Sequence, residues 1–205
     1  TARLRASCNL LDFELPMSDE EMEKIKYQVL DLNGISDGYL RPFCWRGSEM
    51  MAISAQETTI HVGVAAWQWP SYFDPETKMK GITLDIADWR RPSPESAPVQ
   101  AKAAGLYMIC TLAKHSAERK GFQDALMLDY RGYVAEATGA NIFFLMNDGK
   151  IHTPIADCFL DGITRKTVIE LAKQVGLEVV ERHILPNELE NAREAFLTGT
   201  AAEIT

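Results

Sequence analysis

Apolar residues along this chain alternate between two spacings, and the switches between them mark out the elements. Residues 3–11 carry apolar positions at helical spacing and read as a helix. A second helix opens at Ser18, a good N-cap with Glu21 at the capping-box position and acids filling the first turn. It runs through Met22, Ile25, Val29 and Leu30 and stops at Asn33 and Gly34. Strand signals follow at 38–45, at 59–69 through Ile60, Val62 and Val64, and briefly at 81–86. A proline-rich loop over 90–98 continues neither period. Beyond it the spacing predicts a helix over 104–120, stopped by Gly121. Strands at 125–130, 134–137 and 141–146 come next, with turns at Arg131 and Gly132 and at 147–150. A helix at 164–175 ends at Gly176. It precedes a strand at 178–184, a short helix at 186–191 and a last strand at 195–198. Helices separate hairpin-like runs of strands, which predicts an α+β fold with mixed or antiparallel sheets.

Composition narrows this picture. With 205 residues, 46% of them hydrophobic, the chain can bury a substantial core. A net charge of −8 argues against non-specific nucleic-acid binding and against a basic membrane-facing surface. No apolar run approaches the roughly 18 residues of a membrane span. Cys8, Cys44, Cys110 and Cys158 are scattered without a CxxC pair. Buried free thiols in a reducing cytoplasm are therefore expected, with no metal site. The chain opens on Thr1 inside a helical stretch and stops at Thr205 just after a glycine-rich motif, so flanking segments are expected to be missing at both ends.

Three segments carry candidate chemistry. Lys102 stands among Ala101, Ala103 and Ala104, a setting that suggests a desolvated, nucleophilic amine rather than a solvated one. At 160–165, Gly162 and Thr164 open a helix whose free amides, dipole and hydroxyl would suit a phosphate, or would simply form a threonine N-cap. Gly199 and Thr200 offer a second set of amides, or a plain tight turn. Glu136 ends a strand between Ala135 and Ala137. It is either a solvated strand-end acid or a partner for a protonated ring nitrogen. An amine, a two-part phosphate cradle and a ring-nitrogen carboxylate are together the requirements of pyridoxal 5′-phosphate.

Four ordered stretches, APVQAKAAGLYMICTL, DYRGYVAEATGANIFF, FLDGITRKTVIELAK and FLTGTAAEIT, resemble the class IV (fold type IV) pyridoxal-phosphate aminotransferases, most of all the bacterial branched-chain-amino-acid enzymes. The resemblance implies two α/β subdomains with the cofactor between them: residues 1–88 as the remainder of a small domain, 89–98 as an interdomain loop, and 99–205 as the cofactor-binding domain. It implies Lys102 as the Schiff-base lysine and proton shuttle, Tyr107 at the cofactor's phenolic oxygen and Glu136 at its ring nitrogen. Leu160 would pack on the ring, and Arg3, Gly162, Ile163, Thr164 and Thr200 would hold the phosphate. Thr200 and Ala201 would present amides to the substrate carboxylate. Tyr39 and Arg41 would line the side-chain pocket and admit glutamate, with Trp69 as an aromatic wall. The implied reaction moves an amino group between leucine, isoleucine or valine and 2-oxoglutarate, in a cytoplasmic homodimer or larger assembly. The alternatives are a D-amino-acid or R-amine transaminase, an aminodeoxychorismate lyase, or a non-catalytic relative.

Overall fold

The structure is a computed structural model and describes residues 1–69 and 75–205. The chain divides into two compact units, Thr1–Pro70 and Ser71–Thr205.

In the first unit, helices α1 (Ala2–Leu10) and α2 (Asp19–Leu32) accompany an antiparallel pair of strands, β1 (Tyr39–Arg46) and β2 (Ile60–Trp67). The expected capping box starts α2. Ser18 Oγ accepts from the Glu21 amide at 3.1 Å, and Glu21 Oε2 accepts from the Ser18 amide at 2.8 Å. Gly34 ends the helix at φ +62°, a conformation that costs glycine nothing. Cys8, Leu15 and Met22 form the core of this unit, with Leu4, Phe13, Cys44, Val62 and Val64 around them.

The second unit holds two sheets. One orders β3 (Leu84–Arg91), β4 (Asp124–Asp129) and β5 (Val134–Ala137). The other orders β10 (Glu203–Ile204), β9 (Ala192–Gly199), β6 (Asn141–Met146), β7 (Ile151–Pro154) and β8 (Val179–Arg182). A short helix α3 (Pro75–Lys80) precedes β3, α4 (Met108–Arg119) connects β3 to its parallel neighbour β4, and α5 (Ile163–Gln174) connects β7 to its parallel neighbour β8. A helical crossover is the usual way to bring two strands parallel. Residues 81–88 were expected with the N-terminal portion, but β3 is paired to β4 and belongs to the second unit. It also runs through Arg91 into the expected loop, because Arg90 and Arg91 continue the ladder opposite Leu128 and Asp129.

Strand β6 is buried on both faces. Ile142, Phe144 and Met146 join Leu126, Leu128, Val134, Ala137 and Leu197 in the main core. Phe143 faces the other way, toward Ile169 and Ala172 of α5, and its ring stacks on Phe196 at 5.0 Å. Ala125 of β4 packs against Ala113 and Ala117 of α4. Among the described residues no helix is long and apolar enough to cross a membrane.

Candidate active site

Between β3 and α4 the chain is pinned from below. Val99 and Ala101 are buried, and the Gln100 amide donates to the carbonyls of Ala156 at 2.7 Å and Phe159 at 3.1 Å. Lys102, between these anchors and a 3-10 turn at Ala104–Tyr107, projects outward. Its Nζ donates to Tyr107 Oη at 2.8 Å and lies 5.2 Å from that ring's centre. The expectation of a desolvated amine is corrected here: Lys102 is exposed.

Glu136 sits in β5, where all four residues are buried, so the reading as a solvated strand-end acid is excluded. Asn141, the first residue of β6, donates from Nδ2 to Glu136 Oε2 at 3.2 Å. Arg91 Nε lies 3.5 Å from the other carboxylate oxygen. Burial pushes the Glu136 carboxyl up to about 7, against the opposing pull of the Arg91 and Lys102 charges. Arg91 is 3% exposed, and its Nε is buried without a hydrogen-bond partner. The same guanidinium reaches the Leu106 carbonyl and Cys110 Sγ. Burial raises the Cys110 thiol, which Arg91 partly counteracts.

Leu160 and Gly162 lead into α5. Gly162 is the N-cap and has no side chain to cap with, so the first-turn amides lack the usual side-chain acceptor. Thr164 lies inside the helix, which excludes the reading of it as an N-cap. Arg165, 2% exposed, fixes this end by donating to Asp161 Oδ1 at 2.9 Å, the Pro154 carbonyl at 2.9 Å and Glu181 Oε2 at 2.7 Å. Thr200 and Ala201 form the turn between β9 and β10. The pairing of Asn141 with Thr198 brings that turn beside the β5–β6 corner. A Cβ on Gly199 would stand 3.5 Å from the Gly139 carbonyl oxygen.

The second unit thus gathers Lys102, Tyr107, Glu136, Leu160, Gly162, Ile163, Thr164, Thr200 and Ala201 within one framework. Arg3, Tyr39, Arg41 and Trp69 lie in the first unit. There Tyr39, Trp67 and Trp69 cluster with ring centres 5.0 to 5.6 Å apart, and the Arg41 guanidinium rests 5.4 Å from both the Tyr39 and Trp67 rings. Arg3 lies half-buried on α1. Sequence reasoning missed Arg91, Asn141, Gln100 and Trp67. Gln100 and Asn141 stood inside motifs already singled out, whereas Arg91 read as part of a loop.

These donors suit a phosphorylated pyridine aldehyde. An exposed amine sits beside a phenol, a buried carboxylate has one oxygen without a strong donor, and a helix end lacks its cap. A Cβ on Gly139 would meet nothing within 4 Å, so there is open space at that corner.

The family model for amino-transferase class IV matches residues 1–205. A probable branched-chain-amino-acid aminotransferase of Rickettsia felis is 42% identical over 204 residues, covering 100% of this chain and 69% of the relative. The branched-chain-amino-acid aminotransferase of Pseudomonas aeruginosa is 38% identical over 205 residues, 66% of its own length. A solved T.th. branched-chain amino acid aminotransferase, complexed with N-(5′-phosphopyridoxyl)-L-glutamate, superposes with a TM-score of 0.90 at 36% identity. The match covers 100% of this chain and 66% of that one, so this chain spans about two thirds of that structure. The branched-chain amino acid aminotransferase from Escherichia coli gives a TM-score of 0.91 at 33% identity, again over 66% of its chain. Sequence match over the full chain and superposition over the full chain agree: this protein belongs to the class IV aminotransferases and has their fold type IV architecture.

Proposed function

We propose that the protein is a pyridoxal 5′-phosphate-dependent transaminase that moves amino groups between branched-chain L-amino acids and 2-oxoglutarate. The observation that carries this reading is Glu136, an acid held inside a sheet against Asn141 and Arg91 in a framework that also presents Lys102. Burying an ionisable carboxyl costs stability and is unlike a structural residue. A cationic ring nitrogen placed against it would relieve that cost.

Pyridoxal 5′-phosphate, when bound, supplies an aldehyde carbon and an electron-withdrawing ring. The chain supplies the rest. Glu136 would keep the ring nitrogen protonated through a charge-assisted hydrogen bond. The uncapped amides of α5, with Thr164, Thr200 and Arg3, would hold the phosphate, and Leu160 would pack on the ring. The Lys102 amine would form the covalent attachment and, once released by the amino donor, carry a proton on Nζ. Tyr107 would hold the cofactor's phenolic oxygen and orient that amine. Thr200 and Ala201 would present amides to the substrate carboxylate. Tyr39, Arg41 and Trp69 would form the side-chain pocket, with Arg41 over its aromatic shelf available to a glutamate carboxylate. A cytoplasmic homodimer or larger assembly completes the proposal.

The test is a donor panel with 2-oxoglutarate as acceptor. Turnover with leucine, isoleucine and valine is expected. Activity confined to D-alanine or an R-amine would refute the substrate assignment. Lys102→Ala should abolish turnover and the colour of the bound cofactor while the far-ultraviolet circular dichroism is unchanged. Normal turnover in that variant would refute the chemistry.

A further inference from the structure

We infer that Asn141 is a positioning residue that ties the ring-nitrogen carboxylate, Glu136, to the phosphate-side segment Leu160–Gly162, so that both ends of the cofactor are held at a fixed spacing. This inference rests on the proposed function and extends it to a residue that touches neither reacting atom nor substrate.

Asn141 is 5% exposed, and both protons of its amide nitrogen have acceptors. One goes to Glu136 Oε2 at 3.2 Å and the other to the Leu160 carbonyl at 3.0 Å. Its oxygen lies over Gly162, where an added Cβ would collide with Oδ1. Gly162 therefore leaves room for the amide, and the amide spans the gap between β5 and the N-terminus of α5. Other side chains would not do this. Aspartate would lose both donors and set a second negative charge against Glu136. Glutamine would place its amide one carbon too far out. Backbone pairing of Asn141 with Thr198 in β9 fixes the base of the side chain, so the amide has little freedom to find other partners.

The consequences can be measured without turnover. In the full-length protein, Asn141→Ala should weaken pyridoxal 5′-phosphate binding by about 10- to 100-fold, the usual range for losing a hydrogen bond to a charged group. Pyridoxal, which lacks the phosphate, should lose less, because it never used the fixed spacing. The pH midpoint of the bound cofactor's absorbance should also move. Arg91 on β3, Lys102 ahead of α4 and Cys110 on α4 still face Glu136 in the variant, and only the Asn141 donor is gone.

Gly162→Ala leaves Asn141 in the sequence but displaces its amide, so it should reproduce both effects. The double variant should shift the midpoint no further than either single one, since removing the amide clears the space the new methyl needs; its affinity also carries any loss from Gly162's own place in the phosphate cradle. Urea unfolding of the cofactor-free forms separates these effects from simple destabilisation, which would not distinguish pyridoxal 5′-phosphate from pyridoxal. Unchanged affinity and midpoint in Asn141→Ala, or fully additive midpoint shifts in the double variant, would overturn the inference. If the unaltered protein fails to bind pyridoxal 5′-phosphate, the proposed function itself falls and this inference with it.

Discussion

Glu136→Gln should stabilise the cofactor-free protein at alkaline pH while removing its function. The carboxyl is buried, and its ordinary value of 4.5 is raised to about 7, chiefly by burial. In the folded state it therefore holds its proton more tightly than in the unfolded state. Below about pH 4.5 both states are protonated and the group costs nothing. As pH rises toward 7 the unfolded chain ionises and the folded one resists, so stability falls. Above 7 the full penalty is present, about 3 kcal/mol at roughly 1.4 kcal/mol for each tenfold change in proton affinity. Glutamine resembles the protonated acid in shape and can never ionise. The difference in unfolding free energy between Glu136→Gln and the unaltered protein should thus be near zero at pH 4.5 and grow to about 3 kcal/mol in favour of the variant by pH 8. Urea unfolding of both proteins across this range measures it. With cofactor restored, the same variant should lose about 30- to 1000-fold in rate, since a neutral amide cannot hold the ring nitrogen protonated; that is roughly 2–4 kcal/mol. A stability difference that does not change with pH, or a variant less stable than the parent at pH 8, would refute the reasoning.

Arg41→Ala removes a guanidinium resting on the faces of Tyr39 and Trp67. kcat/KM for glutamate should fall by about 2–3 kcal/mol and that for leucine by less than about tenfold, because only glutamate has a charge to pair. Equal losses for the two donors would assign Arg41 to structure alone. Ser18→Ala breaks the capping box at the start of α2 and should cost about 1 kcal/mol in urea unfolding. A change under a few tenths of a kcal/mol would show that neighbouring water caps the helix as well as the hydroxyl does.

The sequence by itself determined the features that arise from neighbours in the chain. Ser18 and Glu21 meet one turn apart, so their capping box was legible before any fold was known. Gly121 at φ +88° and Gly176 at φ +80° end their helices for the same local reason. Strands β5 and β6 were read with their observed limits because β6 is apolar from Ile142 to Met146 and turn residues bracket both strands, Gly132 before β5, Gly139 between them and 147–150 after β6. Lys102, Tyr107 and Glu136 were named from motif resemblance, whereas Arg91 and Trp67 were not.

Only the tertiary structure decided the rest. Strand β7 is four residues, Ile151-His152-Thr153-Pro154, too short to show a period. It is a strand because β6 and β8 flank it. Arg90 and Arg91 read as the start of a loop, yet pairing with β4 carries β3 through them, and Arg91 is buried beside Glu136. Lys102 was expected to be desolvated by its alanines, but exposure is set by which distant segments cover a residue. Asn141 lay within a motif, but its role depends on Leu160 and Gly162 returning to it from the far side of β7. Local preference acts over one turn or one hairpin. Which buried groups share a carboxylate is settled only when the strands choose their partners.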